Sequence, residues 1–188
     1  RSSAEDVSKY SEASKAFYDS VFHFPKPTIA MIQGYCIGGG MGLAVACDIR
    51  LCEDKSRFAI PAAKLGLGYG YEGIRRLANL VGPAMVKEIF FTARQFSAGE
   101  AQEMSLVNRV LPPHMLAPYV DDYAKRISEN APMTMESVKA IVQAIQDDES
   151  ARDLDALDAM VKACFASQDY IEGRRSFMEK RKPNFTGS

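Results

Sequence analysis

The sequence predicts an α/β fold in which short βα units come first and a purely helical tail follows. Three observations point there. Between positions 28 and 60, short apolar runs alternate with glycine breaks. Apolar runs at helical spacing come before and after them. Beyond Pro112-Pro113, every periodic stretch is helical.

The elements follow in chain order. Val7, Tyr10, Phe17, Val21 and Phe24 recur at spacings of three, four and seven, which places them on one face of a first helix. Pro25 and Pro27 end it. Residues 28–33 (TIAMIQ) read as a buried strand, broken by Gly34. A β-like run then leads into Gly38, Gly39 and Gly40, and 41–47 is short, apolar and Ala-rich, as a buried helix is. Residues 49–52 and 57–60 are further strands, and 65–73 (LGLGYGYEG) is a glycine-rich loop. Residues 74–80 and 84–92 are helical, separated by Gly82-Pro83. Ser97 and Glu100 form the S-x-x-E capping box of a short helix. Residues 106–111 are a strand, stopped by Pro112-Pro113. Helices are expected near 115–129, 133–147, 151–166 and 170–181, with Leu154, Leu157, Val161 and Phe165 on one apolar face. Met31 and Met41 are expected in the core, Asp48 in a structural role, and His23 and His114, both beside prolines, in loops.

Composition narrows the class. The chain has 188 residues, 47% hydrophobic and 25% charged, with a net charge of −1. That is ordinary for a globular domain with a real core. Near-neutral charge argues against binding nucleic acid by phosphate neutralisation. No apolar run reaches the roughly 18–20 residues of a membrane span. Cys36, Cys47, Cys52 and Cys164 form no C-x-x-C pair, and the two histidines are far apart. The cysteines therefore read as small core residues in a reducing compartment rather than as a zinc site.

Gly38 to Gly40, between a strand and a helix, form an anion site by default, because the first amides of a helix lack intrahelical partners. Two phosphate motifs fail. No Lys-Ser/Thr follows to complete a P-loop. The dinucleotide fingerprint needs a third glycine where Leu43 stands, and position 60, where a ribose-binding acid belongs, is Ile. A dinucleotide-binding module is correspondingly weak. Two readings remain: an oxyanion hole of backbone amides, or tight strand–helix packing with no ligand.

The run IAMIQGYCIGGGMGLAVACDI, residues 29–49, resembles the signature of the crotonase superfamily, the enoyl-CoA hydratase/isomerase family. The segment 58–77 resembles its second active-site stretch, and FMEKRKPNF, residues 177–185, its C-terminal helix. The resemblance implies a spiral of ββα units, expected over 1–111 and N-terminally incomplete, with a helical trimerisation subdomain over 112–188. The start lacks Met and opens inside a helical pattern, and no A-G-x-D loop precedes residue 29, so missing upstream residues are expected. An acyl-CoA substrate is implied, with coenzyme A as part of it and no separate cofactor or metal. So is a homotrimer or a hexamer of paired trimers, in the cytoplasm, or in the mitochondrial matrix of a eukaryote.

The resemblance makes the amide of Gly39 one donor of an oxyanion hole that stabilises a thioester enolate. It places Ile37, Gly38, Ala62 and Leu67 along the acyl-CoA, and Phe177 and Lys180 against CoA from a neighbouring subunit, with a solvated helix end as the other reading of Lys180. The family's two hydratase glutamates align with Gly42 and Ala62. Neither can transfer a proton, so hydration does not carry over. Tyr69 aligns with a tyrosine of the branch that decarboxylates methylmalonyl-CoA, and QDYIEGRRSFMEKRKPNF also resembles that branch. Tyr69 is then a catalytic residue or an aromatic lining a different acyl pocket. Glu72 is a relocated base or an exposed loop carboxylate. KEIFFTARQF and LVNRVLP resemble the dihydroxynaphthoyl-CoA synthase branch. An idle, acyl-CoA-binding family member remains the alternative to an enzyme.

Overall fold

The computed structural model describes residues 4–188; Arg1, Ser2 and Ser3 lie outside the described residues, as do the side chains of Val7 and Tyr10. The chain divides into two compact units. One holds the residues up to Phe24 together with Thr28–Val120, and the other Pro25–Pro27 with Asp121–Ser188.

In the first unit, helix α1 (Ala4–Phe22) leads to strands β1 (Ile29–Ile32) and β2 (Tyr35–Ile37) and helix α2 (Gly39–Ala46). Strands β3 (Ile49–Glu53) and β4 (Arg57–Ala59) follow, then a 3-10 turn (Pro61–Leu65) and helix α3 (Tyr71–Thr92). Strand β5 (Phe96–Ser97), helix α4 (Ala98–Glu103) and strand β6 (Arg109–Leu111) come next, then helix α5 (Pro113–Ser128), whose residues from Asp121 on are counted with the second unit. Each pass of the chain lays one strand on each of two small sheets, ordered β1-β3-β6 and β2-β4-β5. Pairing is parallel from pass to pass, Ile29 with Ile49 and Tyr35 with Arg57, and only β5 runs antiparallel. This is the spiral of ββα units that the sequence implied.

Side chains hold successive passes in register. Asp48 Oδ2 accepts from the Thr28 amide (2.7 Å) and hydroxyl (2.9 Å). Glu53 accepts from the Gly34 amide (3.0 Å). Arg50, only 4% exposed, donates to the carbonyls of Leu106 (2.8 Å), Ala44 (3.3 Å) and Cys47 (2.5 Å). Its charge therefore sits on the carbonyl end of α2, where the helix dipole favours a cation. Between the sheets and helices lies a core of Met41, Ala44, Val45, Phe58, Leu77, Ile89, Phe96 and Leu106. Cys36 and Cys52 are buried in it, and burial pushes their thiols up to about 11 and about 12.

The second unit contains helices α6 (Pro132–Ile145), α7 (Leu154–Ala166) and α8 (Gln168–Glu179). Asp153 caps α7 through the Ala156 amide, and Ser167 caps α8 through the Tyr170 amide.

Several expectations are corrected. Met31 is 46% exposed, because it points to the outer face of β1. His114 lies in the first turn of α5, since Pro113 starts that helix rather than ending a loop. The strand expected over 106–111 begins at Arg109; the Leu106 and Val107 amides turn back onto the Ala101 carbonyl and are buried there. The 3-10 turn Pro61–Leu65, just ahead of the glycine-rich stretch, has no counterpart among the elements expected from the sequence. Gly82 kinks α3 at φ 79°, where the sequence placed a break, and the Ser97–Glu100 capping box is formed on both sides.

Replacing Arg50 by Leu leaves buried carbonyls without donors and should lower stability by about 3 kcal/mol. Urea denaturation reads this directly, and a loss well under 1 kcal/mol would contradict the role given to Arg50.

Candidate functional site

The site starts where β2 meets α2. Gly38 takes φ 57° and ψ −113°, a conformation that only glycine adopts without strain. Its amide donates to the Ala59 carbonyl of β4 (2.9 Å), which ties the turn to the neighbouring pass. The Gly42 amide closes the first helical turn on the Gly38 carbonyl (3.0 Å). Gly39 and Gly40 are exposed at the start of α2, and no side chain caps that end. Their amides occupy the positions that lack intrahelical acceptors, at the positive end of the helix. A carbonyl oxygen acquiring negative charge fits there.

Around this end, the carboxylate positions are empty of acid. Ala62 lies on the 3-10 turn and is packed into the core at 6% exposure. Over Gly42 lies a residue that sequence reasoning missed, Tyr18 of α1. Its hydroxyl donates to the Gly39 carbonyl (3.1 Å). A Cβ at Gly42 would stand 3.0 Å from Tyr18 Cζ and 3.2 Å from its Oη. Nothing local to α1 marks Tyr18, because the helical spacing selects its neighbour Phe17. The available signal was distant: a glycine where the family resemblance places a long side chain leaves volume for another residue. Arg76 of α3 pairs with Asp19 (2.6 Å) and lies over the Phe22 ring at 4.2 Å, so α1 is fixed against α3 just after this tyrosine.

Tyr69 is half-buried just ahead of α3. Its ring meets Phe90 edge-on at 4.9 Å and covers Gly73, where a Cβ would come within 2.7 Å of Cε1. Burial pushes its phenol up, and the negative charge available to Tyr18 adds to the effect. Tyr69 therefore stays protonated, a donor and not a base. Glu72, in the first turn of α3, accepts from Arg75 through both Nε (3.1 Å) and Nη2 (2.7 Å) and is partly exposed. That ion pair occupies the carboxylate that a relocated base would need.

Ile37 closes β2 and is half-buried, whereas Leu67 is 43% exposed and donates its amide to the Ala62 carbonyl. These residues, with Gly38, Gly39, Ala62, Tyr69 and Glu72, belong to the first unit. Phe177, 81% exposed on α8, and Lys180, at the αL end of that helix, belong to the second. Among the described residues no His, Cys, Asp and Glu group is arranged to hold a metal ion, and no helix is long and apolar enough to cross a membrane.

Residues 1–188 match the family model described as enoyl-CoA hydratase/isomerase. The chain belongs to the enoyl-CoA hydratase/isomerase family. Among its relatives, a crotonyl-CoA hydratase of Syntrophomonas wolfei is 36% identical over 185 residues, covering 97% of this chain and 70% of that protein. The crystal structure of an enoyl-CoA hydratase/carnithine racemase from Magnetospirillum magneticum superposes with a TM-score of 0.91 at 34% identity, over 100% of this chain and 70% of the other. A methylmalonyl-CoA decarboxylase solved with 2S-carboxypropyl-CoA superposes at 0.71 with 30% identity, over 93% and 68%. This member of the family spans between 60% and 70% of the length of such curated relatives.

The glycine triplet makes a contrast within three residues. Gly38→Ala forces a side chain into a left-handed conformation and should lower stability by about 2 kcal/mol. Gly40→Ala, helical and with open space around its Cβ, should be neutral or gain up to about 1 kcal/mol. Paired thermal melts check the order; equal effects would show that the Gly38 turn is not held as described.

Proposed function

We propose that this chain acts on an acyl-CoA thioester, holding the thioester oxygen at the Gly39 amide while an enolate forms, without the water addition of a hydratase. The observation that carries the reading is the combination at α2. The amide end is exposed and held in place, positions 42 and 62 have no carboxylate, and the phenols of Tyr18 and Tyr69 lie on Gly42 and Gly73. Hydration requires a base to activate water and an acid to protonate carbon. Two neutral phenols supply only the second.

Decarboxylation is the reaction class that fits these groups best. The bond to the departing carboxylate breaks and CO2 leaves. Its electron pair passes through the α-carbon to the thioester oxygen, where backbone N–H stabilises it. A phenol O–H, that of Tyr69, then breaks to form the new C–H bond, and water restores the phenol's proton. The likeness to a methylmalonyl-CoA decarboxylase structure supports this choice. Coenzyme A enters as part of the substrate. Exposed Leu154, Phe165, Phe177 and Met178 in the second unit suit an assembly of copies, a homotrimer or hexamer.

The test is mass spectrometry of the full-length protein with crotonyl-CoA and methylmalonyl-CoA. Loss of CO2 from the second, with no hydration of the first, is the expected result; efficient hydration of crotonyl-CoA would overturn the reading. Gly39→Pro deletes the amide at a helix position that accepts proline and should abolish turnover while the protein stays folded. Turnover by the native protein should hold through neutral pH and fall only as pH rises beyond the ordinary phenol value of about 10, because burial raises Tyr69. Loss of activity near pH 7 would point to a different acid.

A further inference from the structure

Gly42 and Gly39 share one neighbour. The Tyr18 hydroxyl is 3.1 Å from the Gly39 carbonyl, 3.3 Å from the place of a Cβ on Gly39 and 3.2 Å from that of a Cβ on Gly42. One phenol therefore stands both at the residue whose amide receives the thioester oxygen and at the residue that carries no acid. The phenol comes from α1, far from α2 in sequence, and the part-buried Arg76–Asp19 pair beside it fixes that helix. Tyr18 is itself only half-buried, so a ligand at the start of α2 reaches it.

We propose that Tyr18 is a specificity-determining residue of this site: its ring fills the volume over Gly42 that an acidic side chain would need, and its hydroxyl turns from the Gly39 carbonyl to donate to the anionic acyl group of the bound CoA thioester. This deepens the acyl-CoA reading and rests on it. A phenol carries one proton to donate and two lone pairs, and it is neutral at pH 7. It binds an enolate oxygen or a substrate carboxylate, but it does not draw a proton from water as a carboxylate does. The ring also displaces the water that hydration would use. Rotation about the Cζ–Oη bond re-aims the hydrogen with no movement of the ring, so the contact on Gly39 is a resting position.

Two measurements test this on the full-length protein. The first is calorimetric binding of a carboxypropyl thioether of CoA, a stable anionic analogue, and of CoA alone. Tyr18→Phe should weaken the analogue about tenfold or more, the loss of a hydrogen bond to a charged group, and leave CoA binding and the melting temperature unchanged. Analogue binding equal to wild type would overturn the donor role. Equal weakening of CoA and analogue, or a melting point several degrees lower, would make Tyr18 a packing residue only. If Gly39→Pro loses the analogue while Tyr18→Phe keeps it, the acyl-CoA reading stands and this proposal falls. If wild type binds neither compound, both fall.

The second measurement does not depend on any ligand. Gly42→Glu should lower the melting temperature in wild type and do so far less in a Tyr18→Ala background, because the ring and the new side chain compete for one volume. Additive effects of the two substitutions would overturn the steric half of the proposal.

Discussion

One buried charge holds this architecture together. Arg50 sits in the interior and donates to backbone carbonyls from the end of α2 and from the segment before β6. Burial pulls its pKa down, and the neighbouring Cys47 and Asp48 oppose that pull. A guanidinium has five donors in a rigid plane, enough to join three passes of the chain at once. Because α2 is only eight residues long, fixing its carbonyl end also fixes its amide end. The geometry at Gly39 is thus set from the opposite end of the helix by a buried residue.

The amide end is bound in a complementary way. Gly38 is turned by its own backbone and tied to β4, so the exposed donors on Gly39 and Gly40 are presented by a framework that has already satisfied its other polar groups. Preorganisation of this kind is what makes backbone dipoles effective toward developing charge. The chemistry then depends on what surrounds the donors. Here that is two aromatic rings, each lying on a glycine: Tyr18 on Gly42 and Tyr69 on Gly73.

Much of the fold was legible because it is written in local pattern. Glycine breaks, the Gly82-Pro83 kink and the Ser97–Glu100 box each act within a few residues, and each stands where spacing placed it. The glycine signature also marked the turn between β2 and α2. Tyr18 was not legible, because its significance comes from a helix and a glycine brought together only by folding. Met31 misled for a related reason: apolar character does not say which face of a short strand looks outward. The position of Glu72 was legible, but its pairing with Arg75, set by helical i,i+3 geometry, was not weighed.

The parallel ladders join residues from adjacent passes, Ile29 with Ile49 and Tyr35 with Arg57. Such pairings close short loops and so carry little chain entropy. α2 lies in the chain between the strands that these pairings join, so the amide end can be set in place while later segments are still being synthesised. An insertion or deletion between residues 38 and 48 would fall inside the loops that both ladders close. On the reading proposed above, the side chains at 18, 42 and 62 are the positions through which substitution on one backbone changes the reaction.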